Sequence, residues 1–159
     1  MTTPTAAPPL VTALARRYRL DLDTSTTATP AWSQVIGLTS FAPKTPATMQ
    51  DDDDYDSAGW GSQVKTMLAW SLDCTIKIGT VSGVEPATHI ALRDAATKFG
   101  SGGVVHVRWY DRNGGTAAYE GYAEVSWDES GGGPKDLAAA DVSFTGKGAR
   151  VKIANPAVV

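Results

Sequence analysis

The sequence has almost no cysteine: Cys74 is the single one in 159 residues. That excludes an intrachain disulfide framework and a cysteine-rich metal site. No stretch approaches the roughly twenty apolar residues that span a bilayer, so no membrane partner is expected. A basic excess is missing too. The net charge is −3, which disfavours a general nucleic-acid binder. The opening MTTPTAAPPLVTALARRYRL has no basic segment followed by an apolar one. No secretory signal is therefore expected, and the expected compartment is a reducing cytoplasm.

Marks of catalysis are equally scarce. There is no G-x-S-x-G, and nothing local joins His89 or His106 to a nucleophile and a carboxylate. The glycines of GSGG (100–103) follow a helical segment instead of opening one, so they form no phosphate loop. Glu120 and Glu124 share a strand face, which strand periodicity alone produces. The acidic stretch 51–59 lacks the spacing of an EF-hand, so it reads as a solvated or partner-facing loop before it reads as a calcium site. Cys74 falls on an apolar strand face and is expected to be a buried structural thiol. Trp70 and Trp127 share faces with apolar neighbours and are expected in the core. No enzyme activity, cofactor or metal site is expected.

What is present is a chain with 42% hydrophobic and 19% charged residues, the composition of one soluble globular domain. Its acidity is local. Setting aside Asp51, Asp52, Asp53, Asp54 and Asp56 moves the formal balance from −3 to +2. Residues 1–17 read as a flexible arm, 18–154 as the folded domain, and 155–159 as a C-terminal tail. Tyr18, Leu20 and Leu22 alternate with charged residues, which predicts a strand. A second strand is expected over 31–41, followed by a loop over 43–61, longer than compact domains usually keep without a function.

The strongest pattern runs from 64 to 78. Val64, Thr66, Leu68, Trp70, Leu72, Cys74, Ile76 and Ile78 alternate with Gln63, Lys65, Ser71, Asp73 and Thr75 on the other face. One strand of that length would extend roughly 50 Å, against a usual length of about six residues. It would overhang so small a domain and suits a sheet continued by other subunits. Residues 85–100 predict the helix, with Pro86 at its start, Gly100 beyond its end, and Leu92, Ala95, Ala96 and Phe99 as its apolar stripe. Strands are expected over 104–111, 117–128, 137–148 and 149–154. The order predicts a mainly β fold, an antiparallel sandwich or barrel with one flanking helix.

The wording WSQVIGLTSFAPK (32–44), DDDDYDSAGWGS (51–62) and KTMLAWSLDCTIKI (65–78), with YEGYAEVSWDESGGGPKDLAAADVSFTGKG (119–148) after it, resembles the major tail, or tail tube, proteins of long-tailed bacteriophages. The resemblance covers roughly residues 18–148 and depends on these segments occurring together. It implies a virion protein whose hexameric rings stack into a hollow tube conducting DNA during ejection. The implied partners are copies of itself, tape-measure, tail terminator and baseplate proteins, and DNA in transit. The implied location is the virion tail, with the host cytoplasm during assembly.

On this reading the 43–61 loop is an assembly arm, held at its ends by Phe41 and Trp60. Its aspartates would meet Arg16, Arg17 and Arg19 of a neighbour. Gln63, Lys65, Ser71, Asp73, Thr75, Glu120 and Glu124 would line the lumen. Two other readings stay open: a secreted calcium- or carbohydrate-binding β-sandwich, and another ring-forming tail protein such as a tail terminator.

Overall fold

The computed structural model describes residues 8–158. Ten strands are present among them: β1 (Tyr18–Asp23), β2 (Trp32–Gln34), β3 (Leu38–Lys44), β4 (Ala47–Asp51), β5 (Gln63–Leu68), β6 (Ser71–Lys77), β7 (Val104–Asp111), β8 (Ala118–Ser130), β9 (Ala139–Gly146) and β10 (Val151–Lys152). One α-helix, α1 (Ala87–Ala96), lies between β6 and β7. Eight strands form an antiparallel sheet in the order β2-β1-β7-β8-β9-β6-β3, with β10 paired to β8; β4 and β5 form a separate two-stranded ribbon.

Chain connectivity forces the large sheet to roll up. Strands β2 and β3 are its two edges, yet only Val35, Ile36 and Gly37 separate them. That link spans at most about 14 Å, whereas a flat seven-strand path would be roughly 29 Å wide. The expected single strand over 31–41 is therefore broken. Val35 is buried and donates its N–H to Leu20 O, and Gly37, in the left-handed region at φ +83°, accepts from Lys77 N. The link ties the two edges together.

The rolled sheet encloses the core. Leu20 and Leu22 of β1, Leu72, Cys74 and Ile76 of β6, Val107 and Trp109 of β7, and Ala140, Val142 and Phe144 of β9 all point inward. Most of them alternate with polar neighbours in sequence, so period two decides which face turns in. Leu92 of α1 joins the same cluster, with Val125 and Trp127 packed around it. Pro86 takes an extended conformation before the first turn, and its carbonyl accepts from His89 N and Ile90 N. The helix stops at Ala96, short of the expected stripe; Phe99 lies beyond it, 97% exposed.

Cys74 is buried, as the alternation predicts. Burial, with Asp73 and Asp141 adding, pushes its thiol up to about 12. At pH 8 the thiolate fraction is then about a thousandfold below that of a free thiol. A thiol-specific reagent at pH 8 is expected to leave the folded protein unmodified and to titrate one cysteine after denaturation. Labelling of the folded protein at a free-thiol rate would contradict this burial.

The two termini are described in part. Residues 1–7 of the proposed arm, and Val159 of the tail, lie outside the described residues; Leu10–Leu14 carry no regular structure, and Ala15–Arg17 form a 3-10 turn. The C-terminal segment is tied down. Asn155 Nδ2 donates to the carbonyls of Asp111 (2.7 Å) and Gly115 (2.6 Å), and Pro156–Val158 make a 3-10 turn.

Candidate functional site

The continuous strand predicted over 64–78 is interrupted. It divides at Ala69–Trp70 into β5 and β6, and the two halves have opposite fates. In β6 the even positions are core; in β5 every residue is exposed, including Val64 and Leu68. The reason lies in the partner strands. β6 is clasped between β3 and β9, whereas β5 pairs only with β4, whose residues are all exposed too. The 43–61 stretch is correspondingly not a loop. It holds the end of β3, all of β4 and all but the last residue of a tip over 52–62.

The ribbon β4–β5 leaves the body where Ala69 N donates to Pro46 O at 3.0 Å. Met49, Val64, Met67 and Leu68 are uncovered along it, and Tyr55 and Trp60 at its tip. Trp60, 81% exposed, does not hold the arm down, while Phe41 is fixed to the body by packing on Tyr18 at 5.3 Å between ring centroids. A two-stranded ribbon exposed on both faces is marginal in water by itself.

The aspartates divide the work of the tip. Asp51 Oδ1 accepts from Gln63 Nε2 (2.9 Å), Asp53 Oδ1 from Ser62 N, and Asp54 Oδ1 from Asp56 N (3.0 Å). Those three shape the turn. The carboxylates of Asp52 and Asp56 make no hydrogen bond among the described residues. Among the described residues no group of three or more His, Cys, Asp or Glu is arranged to hold a metal ion.

The outward face of the large sheet is the second surface. It unites Ser71, Asp73 and Thr75 of β6 with Asp141, Ser143 and Thr145 of β9 and with Glu124, Ser126 and Asp128 of β8, in register across the three strands. Glu120 lies further along the same side of β8, opposite Arg108. Its hydroxyls and carboxylates form a ladder: Ser40 Oγ to Thr75 Oγ1 (3.1 Å), Thr75 Oγ1 donating to Asp141 Oδ1 (2.8 Å), and Ser143 Oγ donating to Asp73 Oδ1 (2.9 Å). Lys44 Nζ donates to Asp73 Oδ2 at 2.6 Å, and that bond, with the one from Ser143, holds the Asp73 carboxyl below its usual range. Across β6, β8 and β9 the face keeps a surplus of carboxylates: Asp73, Glu124, Asp128 and Asp141 against Lys77, with Lys44 of β3 paired to Asp73.

Gln63 and Lys65 are not on this face; they ride on the ribbon. Asp128, Asp141, Ser143 and Thr145 belong to the face although sequence reasoning did not select them. The alternation of β9 held the signal, since Asp141, Ser143 and Thr145 alternate with core residues.

Toward β7, β1 and β2 the same side is closed by an ion cluster. Buried Asp21 accepts from Arg19 Nε (2.7 Å), Arg108 Nε (3.0 Å) and Tyr110 OH (3.3 Å). Trp32 lies under the Arg108 guanidinium, and His106 stacks on Tyr122 at 4.4 Å. Arg19 is thus engaged within its own chain. Arg17 also pairs within the chain, with Asp111 at 3.6 Å, and with Arg16 it borders a groove that includes Arg112, an arginine that sequence reasoning passed over because it sits in the β7–β8 turn. Arg112 N donates to Arg17 O (2.9 Å), which brings that turn beside the start of β1.

No family model matches the chain, and no curated protein matches it in sequence. Similar solved structures exist. A chain in the virion of a native gene transfer agent particle superposes with a TM-score of 0.70 at 14% identity, covering 90% of this chain and 100% of that one. A chain in the tail of an empty gene transfer agent particle, refined with C6 symmetry, gives 0.67 at 15% identity over 90% and 100%. The SPP1 tail tube gives 0.64 at 13% identity over 89% and 80%. This chain shares its mainly antiparallel fold with these neighbours, two of which are tail structures.

Proposed function

We infer that this chain, which has the fold of tail tube proteins, is a non-enzymatic structural subunit of a virion tail. Copies assemble into rings, six to a ring on the pattern of the C6 neighbour, and the rings stack into a hollow tube that conducts DNA. Tape-measure, terminator and baseplate proteins are its proposed further partners, and the host cytoplasm its place of assembly.

The observation that carries this reading is the ribbon. A chain that places Met49, Val64, Met67, Leu68 and Trp60 in water on a two-stranded projection leaves a large apolar surface for a partner to cover. The acidic sheet face supports the channel role. DNA adheres where Lys and Arg neutralise phosphates and release counterions. A wall bearing Glu124, Asp128 and Asp141 repels phosphates and leaves a passing duplex unbound. We assign Ser71, Asp73, Thr75, Glu120 and Glu124 to that wall, and Gln63 and Lys65 to contacts between subunits.

Negative-stain electron microscopy of the concentrated protein tests the reading. Rings or filaments with a central hole are expected. A monomer at every concentration would overturn it.

A further inference from the structure

Arg16, Arg17 and Arg112 converge on one groove made of two adjoining clefts of about 310 and 320 Å3, which share Arg16 and Arg112. Leu38, Phe41 and Tyr18 line it beside Thr39 and Ser40. One carboxylate stands near, Asp111, at 3.6 Å from Arg17 Nη1. Arg112 Nη2 donates to the Tyr18 carbonyl at 3.0 Å, which fixes its charge at the rim. The groove therefore combines a positive rim with a slot for an aromatic ring.

The ribbon tip has the complementary character. It carries five carboxylates, Asp51–Asp54 and Asp56, and two exposed aromatic rings, Tyr55 and Trp60. The tip does not line the groove of its own chain. The ribbon springs from the Lys44 end of β3, whereas the groove borders the Leu38–Phe41 end.

We propose that the groove is the socket for the acidic ribbon tip of a second copy, with Asp52 and Asp56 meeting Arg16 and Arg112 and one tip aromatic seated against Phe41. This rests on the self-association inferred above and names the surface that receives the ribbon. Donor and acceptor are different patches of one chain, so the contact is heterologous. Such contacts close into rings or run on as filaments. Charges at an exposed rim are screened within a Debye length of about 10 Å at 0.1 M salt, so added salt weakens this contact.

The test reverses charge on each surface separately and then on both. Asp52→Lys with Asp56→Lys spares the three aspartates that shape the tip. Arg16→Glu alters a side chain that makes no ion pair among the described residues; Arg112→Glu is added to it in a second groove variant. Each single-surface variant is expected to raise the concentration needed for assembly by about tenfold or more, with an unchanged thermal melt in the tip and Arg16→Glu variants. Combining tip and groove reversals is expected to recover most of that loss.

In parallel, mixing Thr39→Cys chains with Asp56→Cys chains under oxidation is expected to give mixed disulfide dimers, buried Cys74 staying silent. Rings that form normally in both variants without the crosslink would overturn the socket and leave self-association standing. An unaltered protein that never assembles would overturn self-association itself. Duplex DNA bound by the unaltered protein and released by Arg16→Glu would assign the groove to phosphate and overturn the proposal.

Discussion

Replacing residues 47–68 by an Asn–Gly turn is expected to leave a folded body and to abolish assembly altogether. The ends of the excised piece are one hydrogen bond apart, Ala69 N to Pro46 O at 3.0 Å, and Lys44 and Ser71 are already register partners across β3 and β6. A two-residue type I′ turn suits two antiparallel strands so placed. No core residue falls between 47 and 68. Shortening a connection also lowers its closure entropy, by about 1–2 kcal/mol here. The thermal midpoint should therefore hold or rise slightly while rings and filaments disappear. Loss of the circular-dichroism melt would show that the ribbon belongs to the core. Tubes of normal width would show that assembly does without it.

Trp70→Ala is expected to act in the opposite way, on the body. The ring is 4% exposed, packs on Trp109 at 5.3 Å between centroids, and donates Nε1–H to Gly148 O at 2.9 Å. Two strand glycines make room for it. A Cβ at Gly146 would lie 2.4 Å from ring atoms, and one at Gly121 2.7 Å. Truncation leaves a large hole in a close-packed interior and costs about 3–5 kcal/mol. In a chain of this size that lowers the melting midpoint by about 10–15 °C. Gly146→Ala should produce a loss of the same order by overpacking. Adding Trp70→Leu to Gly146→Ala should recover part of it, because the two lesions share one space. Additive losses in the double variant would mean that ring and glycine do not compete for that space.

Much of this fold is legible in the alternation of single strands. Val104–Asp111 has the predicted bounds, Tyr18–Asp23 forms where Tyr18, Leu20 and Leu22 alternate with charged residues, and the helix lies where Pro86 and the Leu92–Ala95 stripe place it. What alternation cannot report is which strand lies alongside. Val64, Thr66 and Leu68 continue the period of Leu72, Cys74 and Ile76 without a break, yet one set is exposed and the other buried. The difference arises from β9, some seventy residues later in the chain, which pairs with β6 and not with β5. The two glycines under Trp70 were equally opaque, since a strand glycine reads as a turn or a bulge until the ring above it is seen. Arg112 gave no sign of its place beside Arg16 and Arg17. That neighbourhood exists only because β1 and β7 pair.

A cryo-electron microscopy map of the assembled protein tests the central claim most directly. The account predicts a closed wall with Thr75, Glu124 and Asp141 turned toward an open channel, and each ribbon crossing to another subunit. A map with that face on the outside, or with each ribbon folded back on its own body, would contradict it.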